Sequence, residues 1–235
     1  MADSHDYIGT RFFHPPNAKG KVVAVQPLLR TVRGNIGAKK LFMVCRQCNT
    51  GWMNVIQRQA KSVLTPMIGG EWSALNDGTG RIIATWAAMT ASVIAMTFPD
   101  TNGVSAADRS FIKERQATPP GWHVWIGRGS GFEEITYGNR VAAIVHESQR
   151  SVVRPQGNTA ITTIALRQLL IHTVNVPDGE VAIDPILYGR EIGVFPIHPW
   201  GGATLDWRWI PIIANGSQEW NALRDNLLYS LNRFG

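Results

Sequence analysis

Cys45 and Cys48 are the only cysteines in 235 residues, and they stand two residues apart. No other feature restricts the local fold as tightly. A C-x-x-C pair closes a tight turn that aims two thiolates at one ion, and zinc takes ligands in a tetrahedron of four, so the pair is half of a zinc site. Asn49 and Thr50 are good helix starters, and Trp52, Met53, Val55, Ile56, Gln57, Ala60 and Leu64 then follow at helical spacing. The expectation is a strand that enters a cysteine knuckle and a helix that leaves it.

Along the rest of the chain, β-branched and apolar runs predict strands at residues 21–25, 28–32 and 41–44, with a Gly-Asn-Ile-Gly turn at 34–37. The helix at 49–65 should end near Pro66, because proline cannot continue the hydrogen-bond ladder. Residues 1–70 therefore read as a small ββα, zinc-knuckle-like module.

Residues 71–235 read as a mixed domain of helices and antiparallel sheet whose role the sequence does not state. A turn is expected at Asn76-Asp77-Gly78, a long apolar helix at 80–97, and a helix capped by Ser105 that runs to about Arg115. Strands follow at 122–127, 134–137 and 141–145, and Gly127-Arg128-Gly129-Ser130-Gly131 reads as a hairpin turn. Ile164, Leu166, Leu169, Leu170 and Val174 suggest a helix over 162–173. Strands at 194–197 and 205–210 and a helix at 217–232 complete the reading. Without a regular βαβ alternation, the class is α+β.

The run Val44-Cys45-Arg46-Gln47-Cys48-Asn49-Thr50-Gly51-Trp52-Met53 resembles the "vCxxCNxGWM" segment of phage and bacterial HNH endonuclease-like proteins. More loosely, the apolar helix with Trp86, the Pro119-Pro120 bend and Pro196-Ile197-His198-Pro199 resemble the region such proteins carry downstream. The resemblance implies a ββα fold that holds a catalytic metal, with Cys45 and Cys48 in the second half of a structural zinc site and Asn49 as the motif asparagine. It also implies an earlier C-x-x-C and an acidic-His dipeptide that supplies the general base. This chain has no upstream cysteine, and neither His5 nor His14 follows an acid. His14 is the only substitute base, so His14 and Asn49 form the candidate catalytic pair, and Mg or Mn would be required only if the protein cleaves. His5 and His14 could complete a Cys2His2 zinc site; the alternative is exposed histidines and free thiols.

Charge points the same way. Residues 1–60 carry nine basic side chains against two acidic ones, or +7, while residues 61–235 carry fourteen against fifteen, or −1. Arg33, Lys39, Lys40, Arg46 and Arg58 surround the cysteine pair in sequence and are the candidate contacts to nucleic-acid phosphates or an acidic protein surface, since a basic cluster attracts polyanions; the alternative is an ordinary solvated surface whose acids lie elsewhere.

Other chemistries find little support. Two cysteines give no disulfide framework and suit a reducing cytosol, and the first residues lack the basic-then-apolar order of a secretion signal. The apolar stretch 82–98 is interrupted by Thr85, Thr90, Ser92 and Thr97, which favours a buried helix over a membrane span. His123, His146, His172 and His198 have no H-x-x-x-H spacing, and there is no P-loop or nucleophile elbow. Alternation would put Trp207 and Trp209 on one face with Arg208 on the other, as core or as a platform for stacking bases or a partner. Two classes stay open. One is a nucleic-acid-binding, HNH-related protein with weak or no cleavage. The other is a non-enzymatic, phage-encoded type of inhibitor that binds a host protein. A cytoplasmic protein without a membrane partner is expected in either case.

Overall fold

The computed structural model describes residues 12–13, 22–25, 44–71, 73–97, 103–131, 135–146, 158–176, 183–199, 202 and 204–228. Its centre is a hairpin of two strands, β6 (Thr159–Leu166) and β7 (Leu169–Asn175), in which every residue is buried. Arg167, at φ 53°, turns the chain between them. The helix expected over 162–173 is therefore absent. A strand covered on both faces reads as an unbroken apolar run and loses its period of two. The deciding signal was the β-branched content (Thr162, Thr163, Ile164, Ile171, Thr173 and Val174), which favours a pleated backbone.

Around this hairpin the sheet runs β1 (Phe12–Phe13), β2 (Val22–Val25), β5 (Ile135–His146), β6, β7, β4 (Trp122–Ser130) and β10 (Ile212–Asn215). β8 (Phe195–His198) also pairs with β4. All pairings are antiparallel except β10 with β4. Ala74–Leu75 (β3) and Leu205–Asp206 (β9) form a small separate ladder. The expected strand at 21–25 is present as β2, paired from Val22↔His146 to Val25↔Ala143. The strand at 28–32, most of the one at 41–44 and the turn at 34–37 lie outside the described residues.

Helices cover both faces, and the class is α+β. On one face α2 (Trp52–Gly69) and α3 (Asp77–Met96) pack Leu64, Met67, Ile83 and Ala87 against Val124, Ile126, Ile164 and Ile171. On the other, α5 (Pro185–Ile192) and α6 (Gly216–Leu228) pack Tyr188, Ile192, Trp220 and Leu227 against Trp125, Ile161, Leu170 and Val174. α3 is long and apolar enough to cross a membrane, yet 61% of its apolar window is buried inside the protein.

Several boundaries moved for identifiable reasons. Pro66 lies inside α2, which ends at Gly70 in the left-handed region (φ 78°), where the Gly70 and Glu71 amides bond Met67 O and Pro66 O. Asn76-Asp77-Gly78 opens α3 instead of forming a turn, because the Asn76 side chain accepts from the Thr79 amide while Thr79 Oγ1 accepts from the Asn76 amide. Ser105 caps α4 (Ala106–Arg115) as expected. The glycine-rich stretch 127–131 continues β4 to Ser130. Gly127 and Gly129 are there for close approach: a Cβ would run into Ile213 at the first and the Trp220 ring at the second. Trp207 and Trp209 do not share a face. They sit in a 3-10 turn (Trp207–Trp209) capped by Asp206, with Trp207 fully buried and Trp209 76% exposed.

Candidate functional site: a thiol knuckle on a basic helical face

The cysteine pair folds as a knuckle over a single short helix, α1 (Arg46–Thr50). Cys45 is its N-cap in extended conformation (φ −65°, ψ 152°), and the Cys48 amide donates to Cys45 Sγ at 3.3 Å. The Asn49 amide donates to Cys45 O at 3.0 Å and Thr50 Oγ1 to Arg46 O at 2.9 Å, which fixes the turn. Gly51 then redirects the chain into α2. Both cysteines are free thiols, Cys45 exposed and Cys48 half-buried. The hydrogen bonds from Cys48 hold the Cys45 thiol below its ordinary value; partial desolvation opposes them, and the Lys113 ammonium of α4 adds to them.

Behind the knuckle α1, α2, α3 and α4 line a half-open cavity of about 160 Å³. Cys45 and Cys48 line it together with Trp52, Met53, Met89, Met96, Arg109 and smaller apolar groups. Arg109 is held in place by a 2.6 Å hydrogen bond to Val104 O. Among the described residues, no three His, Cys, Asp or Glu side chains come together as a metal site. The chain's donor set therefore fits zinc with two ligands here, Cys45 and Cys48. His5 and His14 lie outside the described residues.

The exposed charges of this helical unit are all cationic. From Val44 to Gly70 the sequence contains Arg46, Arg58 and Lys61 and no acidic residue. All three are exposed, and the solvent stripe of α2 reads Gln57, Arg58, Lys61, Ser62 and Thr65. The inward stripe Met53, Ile56, Ala60, Leu64 and Met67 is buried, so packing fixes which way the cations point. Of the sequence-predicted residues, the structure brings Cys45, Cys48, Asn49, Arg46 and Arg58 onto one helical unit. His14, Arg33, Lys39 and Lys40 lie outside the described residues, so the His14–Asn49 pairing does too. The sequence reading missed Lys61, Arg109 and Lys113; the absence of acids over 44–70 was a usable signal for the first of these.

A second polar cluster lies under α5. His172 is fully buried, with Nδ1 2.9 Å from Thr163 Oγ1 and Nε2 3.0 Å from Tyr188 Oη. Trp125 Nε1 donates to Pro185 O at 2.8 Å, and its ring lies between those of His123 (5.7 Å) and Tyr188 (4.5 Å). Burial lowers the His172 pKa to about 3. Burial, with a contribution from His198, lowers that of His123 to about 4. Each ring nitrogen of His172 has a neutral hydroxyl partner, so the cluster is a satisfied structural network that ties α5 to the sheet.

No protein-family model matches the chain, and no curated protein or solved structure matches it.

Proposed function

We propose that this chain is a nucleic-acid-binding protein related to HNH endonucleases, with weak or no cleavage activity. The acid-free helical unit 44–70 carries the reading: it presents Arg46, Arg58 and Lys61 to solvent beside a cysteine knuckle. Cations interspersed with the hydrogen-bonding side chains Gln57, Ser62 and Thr65 suit phosphate and sugar oxygens, which position a protein on nucleic acid without reading its sequence. Arg33, Lys39 and Lys40 would extend the same charge. A zinc held by Cys45 and Cys48, within a ββα zinc-knuckle module over residues 1–70, would lock the turn that sets the start of α2. Its role there is folding rather than chemistry. Cleavage would require a separate Mg or Mn and a base, for which His14 is the candidate beside Asn49.

The test is anisotropy of a labelled DNA duplex at rising salt. Each lost phosphate contact removes roughly 0.9 from the slope of log K against log salt. Arg58→Ala with Lys61→Ala should thus weaken binding and flatten the slope by about two units. Arg190→Ala, on α5 across the sheet and exposed, is the control and should change neither. A double variant that binds as the parent does removes α2 from the interface. A protein partner is the second reading. It is favoured by the exposed indole of Trp209 and by Ile212, 52% exposed on β10, because Trp is enriched in interface hot spots.

A further inference from the structure

We propose that the cavity behind the knuckle is a sulfur-only site for a soft monovalent cation, Cu(I), held by the Cys45 and Cys48 thiolates with two thioether donors drawn from Met53, Met89 and Met96. The inference rests on the reading of the cysteine pair as metal ligands and changes which metal they take.

Three of the chain's six methionines line the same cavity of about 160 Å³ as its only two cysteines. Methionine commonly fills gaps in cores, and Met67 does so in the neighbouring cluster. Met53 and Met89 also belong to a buried core cluster, and with Met96 they line the wall that holds both thiols. Among the described residues the lining contains no carboxylate and no imidazole, and its one hydroxyl, Ser92 Oγ, already donates to Ala88 O at 2.8 Å. A zinc ion on Cys45 and Cys48 would still need two further ligands of the N, O or thiolate kind, and the described residues of this wall offer none. Thioethers beside thiolates form a soft donor set that suits Cu(I).

Charge discriminates in the same direction. Two thiolates neutralise Zn(II), but they leave Cu(I) with one net negative charge beside a mostly apolar wall, which nearby cations stabilise. The Arg109 guanidinium lines that wall, pinned to Val104 O, and the Lys113 ammonium lies near Cys45. Cationic neighbours repel a divalent ion but stabilise an anionic bis-thiolate copper complex. Met96 is half-buried at the end of α3, so its flexible side chain can adjust to the ion without disturbing the core.

Reduced, full-length protein would be titrated anaerobically with Cu(I) against a chromophoric Cu(I) chelator, and separately with Zn(II) against a zinc indicator. The expected result is one Cu(I) per chain with a sulfur-only shell in X-ray absorption. Met96→Leu and Met89→Leu conserve volume, so the fold should survive, as circular dichroism would check. At least one of them should weaken Cu(I) binding by about tenfold or more, since even an outer-shell partner is worth that much, and should leave Zn(II) binding unchanged. Cu(I) affinity equal to the parent's in both variants, or nitrogen or oxygen in the shell, overturns the thioether site. Tight Zn(II) binding without Cu(I) preference overturns it too, while the zinc reading of the cysteine pair stands. Binding of neither metal removes both.

Discussion

Acid should unfold this protein early, and the reason lies in its histidines. His172 is enclosed between Thr163 and Tyr188, and His123 is half-buried against Trp125 with its Nδ1 shielded and without a hydrogen-bond partner among the described residues. Burial holds both rings neutral, with pKa values lowered to about 3 and about 4 from an ordinary 6.5. His198 is shifted in the same direction, first by burial and then by the charge of Arg81. In the unfolded chain these rings protonate as pH falls through 6.5, while in the folded protein they do not. The unfolded state therefore binds more protons over that window, and stability falls as pH falls. The loss stops growing only when pH has passed below the folded values.

Each proton is worth about 1.4 kcal/mol per pH unit, so at pH 5 His172 and His123 should each have withdrawn about 2 kcal/mol. Together they would remove about 4 kcal/mol from a typical total of roughly 5–15 kcal/mol. Urea unfolding at pH 7, 6 and 5 reads this directly. His172→Gln should be less stable at pH 7 but should lose about 2 kcal/mol less than the parent between pH 7 and 5. A parent whose stability changes by less than about 1 kcal/mol over that range would refute the assignment of neutral buried rings.

Three further outcomes follow from other parts of the molecule. Removal of bound thiophilic metal by a chelator should lower the melting temperature, each lost kcal/mol showing as about 2–4 °C at this chain length, and an unchanged midpoint would deny the Cys45–Cys48 knuckle a structural ion. Supercoiled plasmid incubated with Mg²⁺ or Mn²⁺ should remain essentially uncut, for want of an acid-His pair beside Asn49, and robust nicking abolished by His14→Ala would reverse that expectation. Asn175 joins the Ala160 amide to Gly103 O, which its Nδ2 reaches at 3.0 Å, so Asn175→Ala should cost about 1–3 kcal/mol for each buried group left unpaired, measured by urea unfolding.

What could be read from sequence depended on whether local chemistry or tertiary burial decided the outcome. Ser105 and the stripe Met53-Ile56-Ala60-Leu64 act within a few residues, and helices stand where those residues predict them. The knuckle was legible because Cys45 and Cys48 meet within one turn. β6 and β7 were not, since packing on both faces erases the alternation that marks a strand. Gly129 looked like a turn residue because only the folded protein brings Trp220 onto it. The exposure of Trp209 likewise depends on a 3-10 turn that Asp206 caps. For the site, the cations of α2 could be counted in advance, but the methionines could not be placed. Met53, Met89 and Met96 come from two helices, and only the packing of α2 on α3 puts them on the wall of one cavity with the thiols.

The most direct measurement of the proposed function is the salt dependence of binding by the unmodified protein to two duplexes of unrelated sequence. Arg46, Arg58 and Lys61 alone should give a slope of about −3 in log K against log salt, at roughly 0.9 per phosphate. Any contribution from Arg33, Lys39 and Lys40 would steepen it. Affinities for the two sequences should agree closely, because backbone contacts do not specify. No binding at low salt, or binding that is indifferent to salt, would contradict the account and move the protein-partner reading ahead.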